Sequence, residues 1–342
     1  MKMARKADNK RGGSQVSVFF CLSGFVMTYS YWNRPPQNTF IDSVKFVIKK
    51  NSKLYPLHLI MLFWGSIFLL INNESITELS KKLVLTIPLL QTWFPVRYQA
   101  INSVSWYLSV CVFLYLCFPY LLTIIKKYNK KLILNIFNMI IIFVFQFIIA
   151  LLIYKYTNID IKWITYCHPV YRLGDFLMGG VLASIYKNKK INMLISENNN
   201  KLIFSVVEII TLFINFVVCI IYAISSKKSE WFTYTCLFIP STTVLIYVFS
   251  LGKGIITKLL KNKLIFWIAN ISSYAYLIHR LVIYYVYTFT KCILHNRQIS
   301  LMIEILLSFV ITVFSVYLYI FIKNILLIKL KQKLHRIIIN IS

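Results

Sequence analysis

Arg172 and Asp175 stand three residues apart in the run Pro-Val-Tyr-Arg-Leu-Gly-Asp-Phe-Leu-Met-Gly-Gly, residues 169–180. On a helix that spacing puts both charges on one face, close enough to pair. In an apolar segment such a pair is expected to face the interior of a bundle. Two readings stay open: an ion pair that fixes helix packing, and a polar wall beside a substrate path. Five histidines could move a proton or carry a group, because a neutral imidazole suits either role. His335 lies in a basic tail and His295 in a loop, so both are expected to be solvated. His168 precedes Pro169, where a capping or interfacial role is expected, and His58 opens an apolar run, again an interfacial setting. His279 is different. It lies inside an apolar run beside Arg280, so it lines a pocket or bonds a neighbouring helix. Lys45, Lys49, Lys50 and Lys53 form a basic cluster whose simplest role is topology and attraction to anionic lipid. Metal chemistry finds little support. The seven cysteines are odd in number and contain no CxxC pair, and most sit in apolar runs as small hydrophobes.

The elements that must position these residues are membrane helices. The chain has 342 residues, of which 58% are hydrophobic and only 14% charged. A soluble domain is nearer one-quarter charged, so a soluble globular enzyme, a disordered chain and a disulfide-stapled secreted domain are all excluded. Nine runs come near the roughly 20 apolar residues that a span needs: residues 16–32, 56–71, 103–125, 132–154, 169–186, 202–223, 232–251, 268–290 and 300–328. A shorter apolar stretch, 83–94, reads as re-entrant or interfacial. The expected fold is all-α, a polytopic transmembrane helix bundle, with a polar basic segment at 1–15, a membrane domain at 16–328 and a basic tail at 329–342. No cleavable signal peptide is visible.

Lysine and arginine orient it. Basic loops at 45–53, 126–131, 187–190 and 253–263, and the tail at 329–336, alternate with weakly charged ones. The basic side belongs in the cytoplasm, so the C-terminus is expected there, in a plasma or inner membrane. One segment breaks the alternation: residues 1–15 should lie outside, yet they carry Lys2, Arg5, Lys6, Lys10 and Arg11. A helix upstream of the segment, or a local inversion, would account for it. The net charge of +28 is spread over alternate loops, which speaks against nucleic-acid binding.

Five segments, in order, resemble the acyltransferase 3 family of multi-spanning membrane acyltransferases. Residues 17–26, Ser-Val-Phe-Phe-Cys-Leu-Ser-Gly-Phe-Val, are similar to its V-x-L-F-F-x-L-S-G-F helix. Residues 46–56, Phe-Val-Ile-Lys-Lys-Asn-Ser-Lys-Leu-Tyr-Pro, resemble F-x-x-R-R-x-x-R-L-Y-P. Ser105-Trp106-Tyr107-Leu108-Ser109 with Phe113, Tyr115, Phe118 and Pro119 resembles W-S-L-S-x-E-x-x-F-Y-x-x-F-P. Residues 172–179 resemble R-L-x-E-F-L-x-G, and residues 271–279 resemble I-S-Y-x-I-Y-L-x-H.

The resemblance implies a bundle of about ten core helices against the nine spans read here. It implies transfer of an acetyl or other short acyl group from acyl-coenzyme A to a sugar of a surface polysaccharide. Acyl-coenzyme A (acetyl-CoA) is then a donor substrate rather than a resident cofactor. The partners are membrane lipids and a glycan acceptor such as lipopolysaccharide or capsule. Lys50 and Lys53, in place of two arginines, would contact the donor's phosphates. Trp106, Arg172 and Asp175 would line the donor channel. The family's glutamate in the tryptophan segment is Cys111 here. Its catalytic histidine belongs to a helix ahead of residues 17–26, where only polar residues stand, so little activity is expected of residues 1–342 alone. His279 is then the candidate catalytic residue. The alternatives are a truncated, inactive remnant and, from another class, a transporter or flippase of lipid-linked glycans, which should show inverted repeats that are not detected.

Overall fold

The computed structural model describes residues 16–95, 101–128, 131–157, 160–188, 200–225, 229–233, 236–293 and 297–339, with the side chains of 230, 297–299, 327 and 329–339 left aside. The basic segment 1–15, His295 and the side chain of His335 lie outside that description.

The described residues are helical and carry no strand. In chain order the helices are α1 Val16–Tyr31, α2 Phe40–Asn51, α3 Tyr55–Ile71, α4 Ile76–Thr86, α5 Trp106–Tyr128, α6 Leu132–Tyr156, α7 Pro169–Tyr186, α8 Lys201–Ile224, α9 Glu230–Thr233, α10 Ile239–Leu251, α11 Ile255–Leu260, α12 Lys263–Ile293 and α13 Arg297–Ile339. Each apolar run read from the sequence carries helix, but among the described residues the count of nine spans is not reached by length and apolarity. Among the described residues, four helices are long and apolar enough to cross a membrane, or up to five counting one broken pair. α1 has 16 residues and α10 only 13. The run expected at 232–251 divides because Pro240 sits at the start of α10, where its missing N–H is tolerated only in a first turn. The stretch expected at 83–94 is also divided. Its first part belongs to α4, begun by Ser75, whose side chain accepts from the Glu78 N–H at 3.2 Å.

The chain divides into two compact units. The first comprises residues 1–51, 89–96 and 106–262, and the second residues 52–88, 97–105 and 263–342. In the first, α1 and α7 are the most extensively paired helices. Glycine makes this possible. A Cβ on Gly24 would strike the carbonyl of Phe176, and one on Gly179 the carbonyl of Cys21. Backbone therefore meets backbone, as small residues permit between membrane helices. Around that crossing, Phe20, Trp106, Val110, Cys111, Leu114, Phe118 and Phe176 form a buried core.

Also in the first unit, Glu208 of α8 is buried. Its Oε2 accepts from the N–H groups of Ile256 (2.9 Å) and Thr257 (3.3 Å), and its Oε1 accepts from the Thr257 hydroxyl. These are the orphan donors of the first turn of α11, so an intramembrane carboxylate is explained as a cap delivered from another helix. A Cβ on Gly254 would collide with that carboxylate. Glu208→Ala should leave buried donors unmatched and lower stability by about 3 kcal/mol. Glu208→Gln, which keeps one acceptor, should cost less. Thermal unfolding in detergent checks this; equal loss from both variants would remove the capping role.

In the second unit, His58 of α3 is fully buried, and its Nε2 lies 2.9 Å from the carbonyl oxygen of Thr86. The interfacial setting expected from sequence is replaced by a tie between α3 and α4. Lys82 is likewise buried and pairs with Glu74 at 2.5 Å. Glu304 accepts from Thr290 Oγ1 (2.8 Å) and Ser300 Oγ (2.7 Å), which joins α12 to α13.

Candidate functional site

Three of the residues singled out from sequence come together in the first unit. His168 is extended and Pro169 opens α7, so Arg172 falls in the first turn. Side chains on a helix lean toward its N-terminus. Arg172 accordingly reaches back, and its Nε donates to the carbonyl of Tyr166 at 2.9 Å. Its Nη1 donates to Ser17 Oγ at 2.8 Å and to Asp175 Oδ2 at 2.5 Å. Both members of the ion pair are completely buried. The other oxygen of Asp175, Oδ1, accepts from Gln146 Nε2 at 3.1 Å, and the same amide nitrogen reaches the carbonyl of Tyr171 at 3.1 Å.

Aromatic rings enclose the guanidinium. Its carbon lies 5.7 Å from the centroid of Phe20 and 5.4 Å from that of Tyr166. Trp106 is the next layer, with its ring 4.7 Å from Tyr166 and 6.0 Å from Phe20. Ser109, one turn on from Trp106, donates to the Leu89 carbonyl at 2.5 Å and lies 2.6 Å from Thr92 Oγ1. Trp163 Nε1 donates to the Thr92 carbonyl at 3.0 Å. The segment after residue 88 is thereby fastened to the tryptophan helix. His168 sits edge-on between Trp93 and Trp163, 5.4 Å from each. It makes no side-chain cap to α7, and burial pushes its imidazole below its ordinary value.

Chemically, the pair is neutral as a unit, so it can stay ionised where a lone charge could not. Both Asp175 oxygens are engaged, which makes that carboxylate a poor candidate for a free base. One Arg172 nitrogen, Nη2, and one amide oxygen, Gln146 Oε1, are buried with no hydrogen-bond partner. The cluster thus holds one spare charged donor and one spare acceptor. Of its members, Gln146 and Ser17 were not found by sequence reasoning. A signal existed for Gln146, a single amide in the apolar run 139–153. Ser17 carried none.

The remaining candidates are placed elsewhere. Lys50, in the first unit, lies over the ring of Tyr31 at 4.8 Å and that of Phe46 at 5.4 Å. Tyr31 ends α1 and Ser17 is its second residue, fourteen residues or about 21 Å away at 1.5 Å per residue. The Lys50 end and the Arg172 end of α1 are therefore distinct places. Lys53 belongs to the second unit, where its ammonium lies 5.1 Å from the centre of the Tyr274 ring. His279, also in the second unit, is half-buried, with Nδ1 3.2 Å from the carbonyl of Ala275 one turn back. Cys111, standing where the resemblance puts a glutamate, is core, and the described cysteines are free thiols.

Comparison with known proteins gives the family of this chain. The model of the acyltransferase domain matches residues 13–321. Acyltransferase MdmB of Streptomyces mycarofaciens is 33% identical over 121 residues, which cover 34% of this chain and 30% of that protein. The match thus spans under a third of the relative's own length. No solved structure matches. With the family model covering all five sequence segments and the helices that carry them, the chain belongs to the acyltransferase 3 family of membrane acyltransferases.

Proposed function

We propose that the protein is a membrane O-acyltransferase that moves an acyl group, acetyl in the first instance, from cytoplasmic acyl-coenzyme A to a hydroxyl of a cell-envelope or exported polysaccharide. The observation that carries this beyond family membership is the buried Arg172–Asp175 pair with its spare guanidinium N–H. A charge-balanced, aromatic-walled pair of this kind suits the polar wall of an acyl-donor path within the first unit. Trp106 and Tyr166 form the apolar wall beside it.

His279 is the proposed base. When Nδ1 carries the proton and donates it to the Ala275 carbonyl, Nε2 keeps its lone pair. That nitrogen takes the proton of the acceptor hydroxyl as its oxygen attacks the thioester carbonyl. The carbon–sulfur bond breaks and coenzyme A leaves as thiolate, which recovers the proton from the imidazolium. Lys50 and Lys53, each within its own unit, are the basic residues proposed to attract donor phosphates as point charges. The alternation of basic loops supports a cytoplasmic C-terminus. A reporter active only outside the cytoplasm, fused after Ser342, should stay silent; full activity would reverse the orientation.

Replacing Lys50 and Lys53 together by alanine should weaken acyl-coenzyme A binding at low salt by an order of magnitude or more, at about 1 kcal/mol for each cation. Replacing both by arginine should preserve or improve it. Unchanged donor binding in the double-alanine protein would remove both lysines from the donor site.

A further inference from the structure

The second unit contains a cavity of about 480 Å³ formed by α3, α12 and α13, within the range of small-molecule sites. Its wall is apolar. Leu57, Ile278 and Leu281 close one side and are almost fully buried, whereas Trp64, Leu318 and Ile322 on the other side are about half exposed. It is therefore a cleft open along its flank, and in a membrane protein that flank meets acyl chains. From Leu57 to Trp64 on α3 and from Ile311 to Ile322 on α13 it runs about 10 to 16 Å along the helices.

Its two ends differ. At one, Tyr285 donates to the Trp64 carbonyl at 2.8 Å, and Phe68 packs on Tyr285. At the other, α12, α13 and the turn that leads into α3 each bring a polar residue close to the cleft. Lys53 stands four residues before Leu57, Tyr274 four before Ile278, and Lys323 one after Ile322. These meet in space. Lys323 Nζ donates to the Tyr274 hydroxyl at 3.4 Å and lies 5.6 Å from its ring centre, and Lys53 lies 5.1 Å from the same centre. Tyr319, which lines the cleft, packs on Tyr274 at 5.4 Å. Among the described residues no carboxylate pairs with either lysine. Two uncompensated ammonium groups thus cap an apolar slot. A lysine near the end of a span is costly unless its head finds water or an anion.

We infer that this cleft is a binding site for an anionic membrane phospholipid, with one acyl chain along α3, α12 and α13 and its phosphate between Lys53 and Lys323. The charge pattern selects the class. A phosphate with net negative charge complements two lysines, whereas a zwitterionic headgroup brings its own cation to the same place. The site does not rest on the acyl-transfer reading. Lys53 is common to both, so the test turns on Lys323 and Ser315, which the donor reading does not use.

The experiment is lipid titration of the delipidated full-length protein in detergent, followed by native mass spectrometry. Phosphatidylglycerol should be retained as a discrete adduct, phosphatidylcholine should be held several-fold less well, and inorganic phosphate should not displace the lipid. Lys323→Gln should weaken phosphatidylglycerol binding roughly fivefold, and Lys323→Arg should restore it. Ser315→Trp, which fills the cleft without touching the charges, should abolish the adduct while the monodisperse protein persists. Equal retention of the two lipids, displacement by inorganic phosphate, or undiminished phosphatidylglycerol binding in both Lys323→Gln and Ser315→Trp would overturn the assignment.

Discussion

Gly179→Leu should yield no folded protein. A Cβ at residue 179 meets the backbone carbonyl of Cys21 and, at 2.8 Å, the backbone nitrogen of Phe25. A side chain in the way can swing aside; a helix backbone cannot, so α1 must move away from α7. That movement draws Ser17 and Phe20 off the completely buried Arg172 guanidinium. Overpacking alone costs about 1–3 kcal/mol, and disrupting the Arg172 cluster adds to it. Gly180→Ala is the control. There the added Cβ meets the tip of Ile125 at 2.7 Å and Thr28 Oγ1 at 3.2 Å, atoms at the ends of side chains that can shift. The measurement is the yield of monodisperse protein after detergent extraction. Gly179→Leu should fall to background while Gly180→Ala is retained; equal recovery would mean that α1 and α7 do not pack backbone to backbone.

The second large effect concerns the ion pair. Asp175→Leu leaves Arg172 charged, buried and bonded only to Ser17 and the Tyr166 carbonyl. It also strips an acceptor from Gln146. Removing one member of a buried pair costs about 3–5 kcal/mol. The double change Arg172→Met with Asp175→Leu removes both charges and should recover most of that loss, since apolar replacement of a buried pair is often near neutral. A double-mutant cycle on thermal unfolding reads the coupling directly. Additive losses would show that the two side chains do not depend on one another. Full stability in the double variant together with loss of transfer would assign the pair to substrate and not to packing.

Much of this was legible in the sequence, for identifiable reasons. The spacing of Arg172 and Asp175 fixes them on one helical face whatever surrounds them, and the apolar runs dictate helices. What lies between helices was not legible. Nothing local says that Glu208 would cap α11 from a distance of about fifty residues, or that Ser17 would complete the Arg172 site. His58 misled for the same reason. Its position at a helix start reads as interfacial, but α4 folds across it and supplies the Thr86 carbonyl. The break before α10 was signalled by Pro240 and overridden by the apolarity around it. Lys50 and Lys53, one motif in sequence, belong to different compact units because the chain passes from one to the other between them.

The most direct test follows the label in the acyl group of acetyl-coenzyme A. Membranes carrying the protein are incubated with the labelled donor and an envelope polysaccharide fraction, and label in the polysaccharide is counted. Transfer with residues 1–342 should be detectable but weak, should fall to background in His279→Ala as expected for loss of a general base, and should fall with donor affinity in the Lys50→Ala, Lys53→Ala protein. Label that remains on coenzyme A in membranes containing the folded, unaltered protein would contradict acyl transfer from this donor to this acceptor class, and undiminished transfer in His279→Ala would contradict the assigned base.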